Sequence, residues 1–413
     1  MGQEQDVMQA VELPADAPAR LREWLGLPAG RAPRLAFVAG PGDAVGTYEQ
    51  WAAGRHDDRI PVLTYSAQFY SLVAALGAEA LILTESDKRP GTRDPRFEFV
   101  CVPRNRSARR IGWHLAEYDY ARRLAVAVAR WGPDATIAGG DMKPSAYHAF
   151  ARRGRLVLTL HNTFWPMGQR PGGLRARMRQ WFRGRALGRA AGAVCTSREC
   201  ARQFEALAGK GRPTETEMPQ LRAAHLHPLR PRQRARNLLF LGRIEANKGV
   251  FDLVDAFASL ASRFPDARLV LAGTGSADKP LAEAVSRHPA RARIALPGLL
   301  DAAGVHAALG EADLLICPTR TDFNEGLALV VLEAAAQGVP SVASSVVPAA
   351  EMAGKACATF PADDTDALQA VLARLMEDDA AFSALAAEAA AIRPRVLDRS
   401  LGWGSCLARV MTA

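Results

Sequence analysis

Residues 314–342 read LLICPTRTDFNEGLALVVLEAAAQGVPSV, and the order of these pieces decides the fold class. The apolar run Leu314, Leu315, Ile316 stops at Pro318, the pattern of a parallel strand buried on both faces. A polar loop over 319–324 precedes Glu325, Gly326 and a helical segment rich in Leu, Val and Ala. Gly338 and Pro340 end that helix, and SVASS (341–345) opens the next strand. Glu325 and Glu333 lie eight residues apart, a little over two helical turns, so on one helix they share roughly one side. Glu325 falls at the helix mouth, where free backbone amides favour an anion. Glu333 falls within an apolar helix, where an unpaired carboxylate is costly. On an arbitrary helix the two would read as an N-terminal acid and a solvated face residue.

Outward from this stretch, strands and helices alternate along most of the chain. Strands are expected at 34–40, 80–86, 97–103, 155–162 and 193–195, with a fourth carried by GPDATIAGG (132–140). Helices are expected after Thr64, over 120–131 and ending near Arg152, whereas 47–59 is polar and reads as a loop. Residues 211–236 hold four prolines and a cationic run without periodicity, the mark of a linker. The alternation then restarts with NLLFLGR (237–243), ARLVLAGTG (267–275) and RIALPG (293–298). The expected architecture is α/β: two doubly wound, Rossmann-like domains facing across a cleft. The divisions are 1–218, a linker over 219–236, a second domain over 237–394, and a C-terminal helix over 395–413 returning to the first domain.

A chain of 413 residues exceeds one ordinary core. No apolar run approaches the roughly 18 residues that cross a bilayer, and the acidic N-terminus lacks a signal core, so cytoplasmic residence is expected. The six scattered cysteines read as reduced and structural. A net charge of +9 suits phosphate-bearing ligands or anionic surfaces. No zinc-finger, helix-turn-helix or aromatic-interleaved basic stripe points to nucleic acid.

Several short segments carry chemistry. LGRIEANKG (241–249) puts Gly242 and Arg243 after a strand and Lys248 at a helix start; two cations at such a turn suit a diphosphate, or are simply solvated. AGTGS (272–276) carries Gly273 and Gly275, which let the backbone pass close to a ligand or to another element. His161 follows a strand's C-terminal end. Asp364 and Asp366 have the Asp-x-Asp spacing of metal-binding transferases but precede ALQAVLARL, so they read as an N-cap with an acidic first turn. Asp141 and Lys143 read as part of a strand-to-helix loop. Residues 170–189 hold seven arginines with Leu174, Met178, Trp181 and Phe182 at helical spacing: a core helix with a basic outer face, or a membrane-surface helix.

EGLALVVLEAAAQGVP (325–340) closely resembles the donor-site signature of family-4 retaining glycosyltransferases, a Glu-x7-Glu pair with Gly after the first Glu and Gly-x-Pro closing the helix. LGRIEANKG matches that family's GR…KG motif residue for residue. The likeness runs throughout 237–366. The N-terminal half matches in pattern, but the usual Gly-Gly loop is replaced by Gly40, Gly42 and Gly46, and VVPAA precedes Glu351 where Gly-Gly is usual. The resemblance implies a GT-B fold and retaining transfer of a sugar from a nucleotide-sugar, UDP- or GDP-linked, to a hydroxyl acceptor on a glycan or lipid-linked precursor. Neither metal nor resident cofactor is implied. Arg243 and Lys248 would hold the pyrophosphate beside Gly242, Glu333 the two ribose hydroxyls, and Glu325 would face the sugar. The amides of Gly326, Leu327, Ala328 and Leu329 would meet sugar and phosphate oxygens. Gly273 and Gly275 would lie near the nucleoside, His161 would face the transferred sugar, and Asn162 and Trp165 would line the acceptor side. The 170–189 helix would contact the inner face of the cytoplasmic membrane. Two other readings fit the same residues: nucleotide-sugar 2-epimerisation, and a non-catalytic nucleotide-sugar-binding partner protein.

Overall fold

The structure is a computed structural model that describes residues 10–92, 94–106 and 111–413. The chain forms two compact units. The first comprises the described residues of Met1–Asn162, Pro171–Gln220 and Asp398–Ala413; the second comprises Thr163–Arg170 and Leu221–Leu397.

The first unit is built on a seven-stranded sheet, β1 (Arg34–Gly40), β2 (Glu79–Thr84), β3 (Phe97–Cys101), β4 (Ala135–Gly139), β5 (Arg155–Leu160), β6 (Gly192–Cys195) and β7 (Thr214–Thr216). Every pairing is parallel, and the order β3-β2-β1-β4-β5-β6-β7 reverses direction between β1 and β4. Helices cover both faces, so the central strands are buried on both sides: β4 buries Ala135, Thr136, Ile137 and Ala138 in succession. Thr64 caps the Tyr65–Leu76 helix by accepting a hydrogen bond from the Ala67 amide at 3.2 Å, and Gly77, at φ 61°, closes it.

Three expectations for this unit need correction. Part of the polar stretch 47–59 belongs to a helix, Ala44–Ala52, capped by Asp43 and turned so that Tyr48 and Trp51 are buried. The stretch taken as a linker contains β7, which joins the sheet edge through Ala193↔Thr214 and its neighbours. The helix expected over 120–131 begins earlier, at Ile111. The Trp403–Val410 helix packs on the Tyr65–Leu76 helix, β6 and β7, and buries Trp403 completely.

The second unit repeats the plan with six parallel strands: β8 (Asn237–Leu241), β9 (Arg268–Ala272), β10 (Ile294–Gly298), β11 (Leu314–Cys317), β12 (Ser341–Ser344) and β13 (Cys357–Phe360). Their order is β10-β9-β8-β11-β12-β13, so the direction reverses between β8 and β11. β11 is buried at all four positions, as its unbroken apolar run requires. Asp364 caps the Thr365–Glu377 helix through the Ala367 amide at 2.8 Å, in line with the N-cap reading.

The organising stretch also departs from its simplest reading. Its helix is only Val330–Ala336, seven residues, so Glu325 is not on it and the two glutamates share no helical face. The preceding backbone is held from outside: Asn324 Nδ2 donates to the Thr163 carbonyl at 2.7 Å, and the Ala349 amide donates to the Leu327 carbonyl at 2.9 Å. Ala328 takes a left-handed φ of 67°, which helical bonding would not allow.

Candidate active site

The second sheet's reversal between β8 and β11 leaves a crevice at their C-terminal ends, the place where doubly wound sheets put ligands. The chain leaves β8 at Gly242 and Arg243 and reaches Lys248 after a short 3-10 turn, Ala246–Lys248. It leaves β11 at Pro318 and runs to Glu325. The two turns are brought together here. Lys248 Nζ forms an ion pair with Glu325 Oε2, which also accepts from Thr319 Oγ1 at 3.2 Å. Both partners are nearly buried, with side-chain exposures of 14% and 10%.

Phe323 lies under both cations, with Lys248 Nζ 4.0 Å and the Arg243 guanidinium carbon 5.2 Å from its ring centre. Arg243 is otherwise exposed and donates to Glu245 Oε1 at 2.7 Å. An ammonium has three N–H donors, so Lys248 keeps two beyond the one given to Glu325. The loop that carries Phe323 is fixed by Arg320, whose Nη1 meets both Asp252 oxygens at 2.9 and 2.8 Å.

The glycines of 272–276 interlock with the Arg243 turn. The Ile244 amide donates to the Thr274 carbonyl at 3.1 Å, and the Ala277 amide donates to the Ile244 carbonyl at 2.9 Å. A Cβ on Gly273 (φ 138°) would stand 1.7 Å from the Gly242 carbonyl oxygen, and one on Gly275 would stand 2.2 Å from that of Ile244. The element these glycines approach is therefore the neighbouring turn. Gly249, at φ 70°, likewise lies against the Pro318 carbonyl and ties the β8 turn to the β11 turn.

Glu333 projects from the short Val330–Ala336 helix, and nothing among the described residues donates to its carboxylate. Burial alone pushes this carboxyl up to about 7. Gly326, Leu327, Ala328 and Leu329 lie in the irregular stretch ahead of that helix.

In the first unit, His161 follows β5 and stacks on Tyr65 with ring centres 4.4 Å apart. Its Nε2 lies 3.0 Å from Thr159 Oγ1, while Nδ1 is buried and has no hydrogen-bond partner among the described residues. Burial lowers its pKa to about 4, against a weaker pull from Asp141, so the ring is neutral at ordinary pH. The Tyr65 hydroxyl donates to Glu217 Oε1 at 2.8 Å, and burial pushes that carboxyl up to about 8.

The basic helix, Leu174–Leu187, packs through Gly184, Ala186 and Leu187; Gly184 lies so close to the Leu207 carbonyl that a Cβ would come within 2.3 Å. Leu174, Met178, Trp181 and Phe182 face outward with exposures of 75, 52, 57 and 56%. Its apolar stripe is therefore not a core face. A groove of about 670 Å³ opens beside it, lined in part by Arg177, Trp181, Arg185 and Arg189. Among the described residues, no helix is long and apolar enough to cross a membrane. All six cysteines carry free thiols, five of them buried.

The sequence reading missed Phe323, Tyr65, Glu217 and Trp403. The first is a lone aromatic in a polar loop, and the others reach the His161 environment only through tertiary packing, so no local pattern marks them.

Two parallel doubly wound sheets, with paired cations at the reversal point of the second, define a protein of the GT-B class. Residues 235–378 match the family described as glycosyl transferases group 1, and residues 62–218 match the glycosyl transferase 4-like domain. The chain belongs to this family of glycosyltransferases, family 4 of the GT-B fold. A glycogen synthase of Mycobacterium tuberculosis is 32% identical over 154 residues, 37% of this chain and 36% of that protein. A phosphatidyl-myo-inositol mannosyltransferase of the same organism is 38% identical over 117 residues, 28% of this chain and 29% of that protein. The match thus spans about a third of the length of these curated relatives. Among solved structures, Anabaena HepE in complex with UDP and glucose superposes with a TM-score of 0.59 at 16% identity, covering 89% of this chain and 96% of that one.

Proposed function

We propose that the chain transfers a sugar, with retention of anomeric configuration and without a metal, from a nucleoside-diphosphate sugar to a hydroxyl acceptor. The observation that carries this reading is the pair of cations, Arg243 and Lys248, gathered over Phe323 where the second sheet reverses. Fixed cations neutralise a leaving diphosphate as its bond to the anomeric carbon breaks. The acceptor oxygen bonds to that carbon on the same face, and its proton passes to the departing phosphate oxygen. Lys248 offers the diphosphate its two remaining N–H donors, and Arg243 swings from Glu245 to fork onto its oxygens. Glu325 holds Lys248 and faces the sugar, and His161 is a hydrogen-bond donor suited to a sugar hydroxyl oxygen. Glu333 accepts from both ribose hydroxyls, which gives its unpartnered carboxylate two donors. Gly242, Gly273 and Gly275 shape the turn beside the nucleoside, and the amides of 326–329 lie along the sugar and phosphate oxygens. The known binding of UDP by HepE favours a uridine donor, with a GDP-sugar as the other choice.

The test is nucleotide release from a panel of UDP-, GDP- and ADP-sugars in excess chelator. One donor is expected to be hydrolysed slowly. Arg243→Ala should lower kcat about 100-fold, and Glu333→Ala should raise KM about 10- to 100-fold. The ribose contact needs the ionised carboxylate, so donor affinity should rise with pH through about 7, the value to which burial brings Glu333, and Glu333→Gln should flatten that dependence. Turnover that requires added divalent metal would overturn the metal-independent mechanism. Binding without turnover, even with membrane extract as acceptor source, would leave the non-catalytic reading.

We further propose that the outward Leu174, Met178, Trp181 and Phe182, set among arginines, rest on an anionic membrane surface that holds a lipid-linked acceptor. The chain is expected to float with vesicles containing anionic lipid. The double variant Trp181→Ala, Phe182→Ala should lose most of that binding, and equal binding to neutral vesicles would count against the arginines' role.

A further inference from the structure

We propose that Trp403 sets the tautomer of His161 through Thr159, so that His161 presents a fixed N–H donor at Nδ1. The three side chains form a line within the first unit. Trp403 Nε1 donates to Thr159 Oγ1 at 2.8 Å, and Thr159 Oγ1 lies 3.0 Å from His161 Nε2. Trp403 is fully buried and Thr159 is 3% exposed, so neither competes for water. Trp403 lies in the same core as Cys406 and Leu407 of its own helix and against the rings of Phe37 and Tyr65, which leaves the indole little freedom to turn.

The direction of the line follows from the chemistry of its ends. An indole N–H can only donate, so Thr159 Oγ1 is an acceptor toward Trp403. The threonine hydroxyl still has one hydrogen to place, and no acceptor other than His161 Nε2 lies within reach of it among the described residues. If His161 carried its proton on Nε2, both the Thr159 hydroxyl and the Nδ1 lone pair would be buried unsatisfied. With the proton on Nδ1, the Thr159–His161 bond is made and a single donor, Nδ1–H, is left over. Tyr65 fixes the plane of the ring by stacking at 4.4 Å, and Tyr65 is itself held by Glu217. The ring is neutral, in keeping with its lowered pKa.

The leftover donor gives the device its meaning. A group that completes His161 must offer a hydrogen-bond acceptor, such as a sugar hydroxyl oxygen, and His161 cannot take a proton at Nδ1. This last step rests on the proposed transferase reading, whereas the tautomer does not. Trp403 and Thr159 are accordingly positioning residues.

The experiment is nitrogen NMR on the full chain with labelled histidine, His161 being assigned by the signal lost in His161→Gln. Wild type without ligand should show the Nδ1–H form at His161. Thr159→Ser keeps the hydroxyl and should keep that form, whereas Thr159→Val and Trp403→Phe should yield the Nε2–H form or a mixture. A wild-type ring protonated on Nε2, or an unchanged tautomer in Thr159→Val, overturns the proposal. Should Trp403→Phe fail to fold, the Ser/Val pair at Thr159 decides the question alone. With the donor found by the panel above, Thr159→Val should lower kcat on the order of tenfold, the worth of one hydrogen bond, with KM little changed, and Thr159→Ser should restore it. A tautomer that shifts while kcat holds would leave the relay standing and remove His161 from the reaction.

Discussion

Substituting Lys248 by methionine is expected to lower both stability and turnover, because one side chain serves two partners. Glu325 is 8% exposed and accepts from Lys248 and Thr319. Methionine matches the lysine stem but leaves that carboxylate with a single neutral donor. Stranding a buried charge in this way costs about 3 kcal/mol, which corresponds to a fall in Tm of roughly 10 °C for a unit of this size. On the transferase reading, the lost cation should also reduce kcat about 100- to 1000-fold. Adding Glu325→Gln separates the effects: the amide needs no counter-charge, so the double variant should regain most of the stability and none of the activity. Calorimetry and nucleotide release on the same preparations would decide. A Lys248→Met protein that melts with wild type would show that the ion pair contributes nothing, and one that turns over normally would remove Lys248 from the diphosphate.

Gly273→Ala should be the most damaging single methyl in the second unit. The added Cβ would meet the Gly242 carbonyl oxygen at 1.7 Å, and φ 138° is a conformation that side chains rarely adopt. Neither neighbour can yield easily, because the Gly242 amide is bonded to the Ala272 carbonyl at 3.1 Å and the Gly273 amide to the Gly298 carbonyl at 2.8 Å. Strain and forced displacement together cost about 3–5 kcal/mol. Gly298→Ala is the matched control: φ is 76° but nothing lies within 4 Å, so only the backbone term remains, about 1 kcal/mol. Denaturant unfolding of the two variants measures the difference. Equal losses would mean that the interlocked turns relax freely and that the glycines are needed only for their dihedral angles.

Where the sequence was legible, burial made it so. β11 and β12 lie inside a parallel sheet: the apolar run of β11 ends at Pro318, and the small residues SVAS of β12, all buried, follow directly on Pro340. The cations at 243 and 248 were legible as neighbours at a strand end because they follow β8 directly, and the structure gathers both over Phe323. Other elements left no such trace. β7 is three polar residues at a sheet edge, held by backbone bonds that any sequence can make. In the Ala44–Ala52 helix, Gly46 and Thr47 dilute the periodicity, and only Tyr48 and Trp51 carry the buried face far from the cap. The helix expected to start at Glu325 fails for a different reason: Ala328 is driven into a left-handed conformation by tertiary bonds on either side, and an alanine gives no local sign of that. The His161 surroundings were hidden for the same cause, since Trp403 is 244 residues from Thr159 in the chain.

The burial of the Trp403–Val410 helix in the first unit has a consequence for synthesis on the ribosome. All seven strands of the first sheet emerge before the second sheet is begun, yet the helix that covers part of them is made only after every strand of the second sheet. Until it arrives, the slot beside the Tyr65–Leu76 helix, β6 and β7 lies open, with apolar side chains exposed through the translation of the whole second unit. The second unit has all its strands and helices in hand by Leu397 and can close first. The nascent chain is thus most exposed to aggregation in the part that has been outside the ribosome longest, and there a holding chaperone would have its work.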